Sequence, residues 1–519
     1  MELSKLSSHD LSSLFEVGCF FILNELPTGT QFAIDGSTWL TGPLFQGVKL
    51  IPPGFHIITI SPNSTKPLHQ VRSSSSILSS ASDESSNGPG IGYQVKKGLI
   101  RFFKPQEKVI RHFDSNLEDY SKNSHEETIT SLDYMKTIDS KLAAYPMKEY
   151  DRWKSLTNHI TTDQVSRMIG FDDQEDSLLD SLISNHISLS SHPPPPLSSS
   201  LPNRTQWGKP RDQTESLLTS SPSKERTTTW PFIDLKRSWP KDAIGPELTK
   251  WSRDKSWLFD HLLHHQFKND PEEILGLLQL SFITFIEVQS IQSIQSFEFY
   301  QSLMNLIVKS NLSELTELSN QRNMNDHHHQ DISTTLAPPT TTTKSSASPT
   351  TTLRGEKIDY LRLNLDIVKV FISQLKSLKT NFFSESMEDF QIENWFFNVI
   401  EKFRTNINYI IKFIIKDSIN RDLEPSKDDD EQREAKRRTT ELSRSLEGID
   451  WVGIQSDCKR FDWNVKDLKI SIHLFLTDPK STEIRNLMTE GDDDEDEDDD
   501  DEEDLSEDED DEFKPIVVN

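Results

Sequence analysis

Cysteine is almost absent: Cys19 and Cys458 are the only two in 519 residues. Two distant thiols give neither a disulfide framework nor a zinc-finger spacing, so the chain reads as one from a reducing compartment. Long apolar runs are missing as well. Every apolar stretch is broken by Gln, Glu, Lys or Ser well before the ~20 residues that a membrane-spanning helix needs. Met1–Asp10 is polar and lacks the charged-then-apolar pattern of a signal segment. Cytoplasm and nucleus are the expected compartments. Only 34% of residues are hydrophobic, and long stretches are polar and monotonous. Two cores are therefore expected, joined and flanked by disordered segments.

Basic charge is also scarce. There are 56 Lys and Arg against 84 Asp and Glu, for a net charge of -28. Asp492–Glu512 alone holds 19 of the acids and no Lys or Arg, which leaves 65 acidic against 56 basic residues elsewhere. This balance argues against non-specific nucleic-acid binding, which requires clustered cations, but it leaves room for a local basic patch. Direct sequence-specific nucleic-acid binding is not expected. The acidic run reads first as a solubilising, repelling segment and second as a mimic of nucleic acid.

Catalytic signatures are wanting too. No Gly-x-Ser-x-Gly elbow or His-Glu-x-x-His pair is present. The stretch from Gly42 to Gly54 lacks the residue order of a phosphate loop, and its glycines and prolines read as turn geometry. His261 and His265 stand four residues apart on an expected helix, with His264 and Asp260 beside them. They could share a metal, but Leu262 occupies the place of the metalloprotease glutamate, and a partly exposed helix face is the simpler reading. His327–His329 falls in a low-complexity stretch. His56 reads as a hydrogen-bonded structural histidine. No catalytic residue, cofactor or metal ligand is assigned, and the chain is expected not to be an enzyme.

The patterns that are present divide the chain. Val17–Leu23 is a buried-strand run, Gln31–Asp35 alternates weakly, and Phe55–Ile60 is β-branched and aromatic behind a Pro53-Gly54 turn. Gly92–Lys96 and Leu99–Lys104 suggest a hairpin around Lys97-Gly98, with a strand at Lys108–Phe113. Together they predict a β-rich, sandwich-like, antiparallel domain over residues 1–170, with a disordered insertion at about 61–90. Helical spacing through Leu132, Met135 and Ile138, then Trp153, Leu156 and Ile160, adds a small helical appendage. A disordered linker follows at 171–229. An all-α domain is expected over 230–420, interrupted by an insertion at about 319–356. Its helices are Thr249–Phe267, one begun by Asp270 as cap with Pro271 first and Glu273 returning a hydrogen bond, Ile294–Lys309, Lys357–Leu378, Phe390–Arg404 and Asn406–Ile419. The helix after Pro271 is apolar nearly all round and should be central. Residues 421–519 read as a charged, acidic tail, partly helical at 422–447, with a short strand at Leu468–Phe475 and a β-prone end.

That end, Pro515-Ile516-Val517-Val518, suits addition as a strand to an exposed sheet edge, with Pro515 leading and Ile516–Val518 pairing. Ser506, surrounded by acids, suits an acidophilic kinase, and Ser221, followed by Pro222, a proline-directed one.

The run from Gly42-Pro43-Leu44-Phe45-Gln46-Gly47 through Ile51-Pro52-Pro53-Gly54-Phe55-His56 closely resembles the N-terminal signature of the AAR-two splicing-factor family, the cistron-splicing factors. Leu26–Thr30 and Ile34-Asp35 are similar to its flanks. Tyr145-Pro146, Trp153 and Leu156-Thr157-Asn158 are similar to the family's helical appendage, and Asp270-Pro271 through Leu275-Gly276-Leu277-Leu278-Gln279 resembles its central helix. Phe461-Asp462-Trp463 and Pro515–Val518 look like its C-terminal elements. The resemblance implies an α+β architecture with a VHS-like helical domain. It implies a splicing assembly factor that binds the central scaffold protein of the U-five snRNP at its RNase H-like and Jab/MPN-type domains and delays docking of the particle's helicase. The Ser/Thr-rich insertions and the long acidic tail depart from the family pattern. The alternative class is an adaptor that uses a VHS-like domain to hold modified protein cargo.

Overall fold

The computed structural model describes residues 16–61, 96–114, 119–121, 132–170, 177–180, 230–288, 291–333, 358–380, 382–383, 390–423, 429–479 and 481–489. Its strands are β1 (Cys19–Asn24), β2 (Gln31–Ile34), β3 (Ser37–Leu40), β4 (Gly47–Ile51), β5 (Gly54–Ser61), β6 (Lys97–Phe103), β7 (Lys108–Asp114), β8 (Asp119–Ser121), β9 (Ala143–Ala144) and β10 (Ser177–Asp180). They make two five-stranded sheets, ordered β8-β7-β1-β4-β9 and β10-β6-β5-β2-β3. Phe21, Leu23, Val48 and Val109 of the first sheet share one buried core with Phe32, Ile34, Ile58, Ile60 and Leu99 of the second. The outer face of the first sheet is covered as well: Ile22 and Ile110 pack with Ile138 and Leu142, at and beyond the end of helix α1 (Leu132–Ile138). β1 is thus apolar on both faces, which explains a continuous apolar run where a half-exposed strand would alternate.

Two expectations for this domain need correcting. The sheets are not purely antiparallel, because β1 runs parallel to β7 and β4 parallel to β9. Lys97-Gly98 is not a turn either. It lies inside β6, opposite Ile60 and Thr59 of β5, where ladder pairing outweighs the weak local preference of one glycine. The turn comes at Pro105-Gln106, with Gln106 at φ 61°, and it carries the chain from the second sheet to the first. At Gly47 the backbone approach is decisive: a β-carbon there would stand 2.0 Å from the carbonyl oxygen of Phe21.

The helices continue with α2 (Tyr150–Thr157), α3 (Thr162–Met168), α4 (Pro246–Arg253), α5 (Ser256–His265), α6 (Pro271–Val288), α7 (Ile291–Val308), α8 (Leu312–Ser333) and α9 (Tyr360–Ser377). After them come α10 (Phe390–Leu423), α11 (Asp429–Glu447), α12 (Trp451–Cys458), α13 (Ile472–Thr477) and α14 (Thr482–Thr489). The central helix is α6, buried from Ile274 through Thr284. The single helix expected over Thr249–Phe267 is two, because Asp254 leaves the helical conformation and its carboxylate accepts from the Ser256 amide at 2.8 Å. The pair expected over Phe390–Ile419 is one helix, α10. The insertion expected from residue 319 starts inside α8, where Ser319 is buried and donates to the Ile358 carbonyl at 3.3 Å.

The region read as a charged tail from residue 421 holds the helices α11 to α14. Leu442 and Leu446 are fully buried at a four-residue spacing that makes α11 amphipathic. The strand expected at Leu468–Phe475 is absent. Ile472 and Phe475, three apart, both bury from α13, a helical spacing hidden inside a short alternating pattern. The chain gathers into two compact units, Met1–Phe403 with Val452–Val465, and Arg404–Trp451 with Lys466–Asn519. The β domain and the helices through Phe403 therefore belong to one unit.

Candidate functional site

Asp35 and Gly36 form the two-residue turn between β2 and β3, at φ 51° and 80°, the positive dihedrals that an Asp-Gly hairpin turn supplies. The Asp35 side chain folds inward, only 4% of the residue exposed. Its carboxylate accepts from the Ile57 amide at 3.0 Å, from His56 Nδ1 at 2.6 Å and from the Tyr145 hydroxyl at 2.6 Å. His56 Nε2 donates to the Pro52 carbonyl at 2.7 Å. Both ring nitrogens thus face oxygen atoms of the protein. Burial, then the Asp35 charge, pushes the Tyr145 phenol far above its ordinary range. Trp153 Nε1 donates to the Phe55 carbonyl at 2.8 Å, tying α2 to β5. The trio looks like an acid–base relay, yet every polar atom in it is turned on another group of the protein. Its work is to hold the β2–β3 turn, β5 and the appendage together.

A second set of contacts fastens the appendage to α6. Glu272, Gly276, Gln279, Ile283 and Glu287 recur at four- and three-residue spacing and form one stripe of that helix. At Gly276 a β-carbon would stand 2.3 Å from the side-chain atoms of Gln164 and 2.4 Å from the His159 carbonyl. Gln279 accepts from the His159 amide at 2.8 Å and donates to Asn158 Oδ1 at 2.8 Å and to the Ser155 carbonyl at 3.2 Å. His159 Nδ1 lies 2.6 Å from Glu272, and Arg167 bonds Glu273 at 2.5 Å. Glu273 therefore reaches across to α3 and does not return to cap its own helix. The capping box belongs to α3, between Thr161 and Gln164. At the far end of the stripe, half-buried Glu287 meets the β2–β3 turn, with its carboxylate beside Gly36 and near Arg152, Lys96 and Lys379. Loss of water, with the Asp35 charge beside it, outweighs those three cations and pushes its carboxyl up to about 7.

The helical region has its own buried carboxylate. Asp260, 1% exposed, accepts from the Tyr360 hydroxyl at 2.7 Å and from Arg322 Nε at 2.9 Å, with His264 Nε2 at 3.3 Å. Burial alone would raise its pKa, but the bonds from His264, Tyr360 and Arg322 overcome this and hold it below the usual carboxylate range. His261 stacks on Trp257 at 4.9 Å and meets His265 at 4.3 Å. Burial, then the neighbouring His265 and Arg322 charges, lowers its pKa. Among the described residues, no group of three or more His, Cys, Asp or Glu side chains is placed to hold a metal. His327–His329 continue α8.

Pro515–Val518, Ser221 and Ser506, the residues singled out from sequence for partner binding and modification, lie outside the described residues. The structure brings together a different set. Asp35, His56, Tyr145, Trp153, Asn158, Gly276 and Gln279, drawn from four separate signature stretches, meet along the joint between the sandwich and α6. The Asp35-Gly36 dipeptide is a hairpin signal in its own right, and the Glu272–Gly276–Gln279 spacing marks one helix face. Both were legible but could not be matched to their partners across more than 100 residues. Outside the joint, β3 is the edge of its sheet, and Leu40 at its end and Leu44 beyond it are each 69% exposed.

Comparison with known proteins agrees with this layout. Residues 17–170 match the AAR2 N-terminal domain, and residues 230–452 match the AAR2 C-terminal repeat region. A human protein named Protein AAR2 homolog is 26% identical over 288 residues, covering 52% of this chain and 64% of its own length. The mouse protein of that name is 27% identical over 277 residues, with the same coverage. The Caenorhabditis elegans one is 27% identical over 157 residues, 30% of this chain and 36% of its own length. The matched part thus spans less than two thirds of these relatives. With both of the family's domains matched in order across most of its length, the chain belongs to the AAR2 family.

Proposed function

We propose that this chain is a pre-mRNA splicing factor that acts as a non-enzymatic assembly chaperone, in the cytoplasm and the nucleus. Its partner is the central scaffold protein of the U-five snRNP, bound at the RNase H-like and Jab/MPN-type domains, and its occupancy delays docking of the particle's helicase. Membership of the family across both domains carries this reading. The geometry supports it from the other side: the two most enzyme-like constellations, around Asp35 and around Asp260, are buried and occupied with holding helices and strands together. What they hold is local structure: Asp35 ties the β2–β3 turn to β5 and the appendage, and Asp260 ties α5 to α8 and α9. Pro515–Val518 extends the grip by adding a strand to a sheet edge of the scaffold, and phosphorylation at Ser221 or Ser506 regulates the complex. Affinity purification of the tagged chain tests the reading. U-five proteins led by the scaffold are the expected catch, and trafficking proteins bearing modified cargo would favour the adaptor alternative instead.

A further inference from the structure

In a chain of net charge -28, the outer face of α11 is basic. Arg433, Lys436, Arg437 and Arg444 are all exposed, and their spacing of three, four and eleven residues from Arg433 sets them on one stripe of the helix. Thr440, also exposed, completes it. The opposite face buries Thr439, Leu442 and Leu446, so packing fixes which way the cations point. Arg437 pairs loosely with Glu441, at 4.0 Å. Glu434 lies to one side and Glu447 at the end, and neither breaks the row. The stripe is ~16 Å long at ~1.5 Å per residue.

We infer that the chain's own acidic run, Asp492–Glu512, occupies this stripe. The run carries 19 carboxylates and no cation. It begins three residues after α14 ends at Thr489. At ~3.3 Å per residue its 21 residues reach up to ~70 Å, several times the length of the stripe. Covalent attachment gives it an effective concentration in the millimolar range, ahead of any free polyanion of similar charge. A second copy of the chain is the poorer occupant, because two bodies of net charge -28 repel. The consequence is functional: a cationic helix face that would attract RNA phosphates is covered from within the molecule.

Zero-length carbodiimide cross-linking of the full-length chain reads this contact directly. Lys436 is expected to couple to carboxylates of 492–512 at low salt, well above the yield at exposed Lys154 and Lys466, and the product should vanish near 0.5 M NaCl as screening sets in. Cross-links spread evenly over the exposed lysines, or none at Lys436, would overturn the inference. A second measurement separates RNA as the occupant. A full-length variant with the acids of 492–512 replaced by Ser should bind a single-stranded 20-nucleotide RNA at least tenfold more tightly than the wild-type chain. That gain should be lost on adding Arg433→Glu, Lys436→Glu, Arg437→Glu and Arg444→Glu. Equal RNA binding by the wild-type and acid-replaced chains contradicts internal coverage.

Discussion

Gly276 of α6 faces the side-chain amide of Gln164 so closely that a β-carbon on the glycine would lie 2.3 Å from it. Helix propensity alone predicts that Gly276→Ala stabilises the chain by about 1 kcal/mol. The packing predicts the opposite sign. The His159 carbonyl, 2.4 Å from the same point, is backbone and cannot rotate away. Overpacking of this kind costs about 1–3 kcal/mol. Gly276→Ala should therefore lower the thermal unfolding midpoint and speed proteolysis at the joint between appendage and α6. A raised midpoint would mean that the joint is looser than described.

Glu287 gives a pH dependence with a definite sign. Its folded-state pKa, about 7, lies above the ordinary carboxyl value of 4.5, so the folded chain holds a proton that the unfolded chain releases. The corresponding stability is complete below about pH 4.5 and is lost as pH rises through 7. Glu287→Gln removes this loss. The variant should match the wild type at pH 5 and exceed it at pH 8, by about 1–3 kcal/mol at ~1.4 kcal/mol per pKa unit. Chemical denaturation at the two pH values reads the difference, and a variant weaker at pH 8 would show that Lys96, Arg152 and Lys379 dominate the carboxylate.

Asp260 behaves oppositely. Its pKa is held down, so its contribution is present above the ordinary carboxyl pKa and is lost as pH falls through the depressed folded value. Asp260→Asn leaves the half-exposed Arg322 facing a neutral partner and should cost about 1.5 kcal/mol through weakened charged hydrogen bonds, read as a lower denaturation midpoint at pH 7. A cost below ~0.5 kcal/mol would show that Tyr360 and Arg322 find other partners.

The sandwich was legible where one face decides the pattern. Phe55–Ile60 and Lys108–Phe113 fall within one residue of the observed β5 and β7, because β-branched residues fill a buried ladder there. Order within the sheets was not legible, since parallel pairing of β1 with β7 is a contact across some 90 residues that no local signal carries. The helices α11–α14 are hidden in the sequence for a physical reason. In α11 the five Lys and Arg outnumber the three apolar residues, and only the four-residue spacing of Leu442 and Leu446 shows which face is buried. Among the joint residues, His56 reads from sequence as a hydrogen-bonded structural histidine, as it is, but Asp35 only closes a weakly alternating run, and nothing local says that His56 and Tyr145 converge on it.

Ser221 carries the regulatory part of the proposal. Added negative charge in the segment joining the two domains should disfavour the partner-bound arrangement. Ser221→Glu is expected to reduce co-purification of the scaffold severalfold while leaving thermal unfolding unchanged. Equal recovery with wild type would remove this site from the account.

The central claim is tested most directly by mixing the purified full-length chain with the scaffold's RNase H-like and Jab/MPN-type domains and measuring affinity by calorimetry, with and without Phe513–Asn519. A stoichiometric complex is predicted. Deletion of the stub should weaken it by about tenfold, equivalent to ~1.4 kcal/mol, and leave the unfolding of the described domains unchanged. Unaltered affinity would contradict strand addition alone; no complex with either domain would contradict the account as a whole.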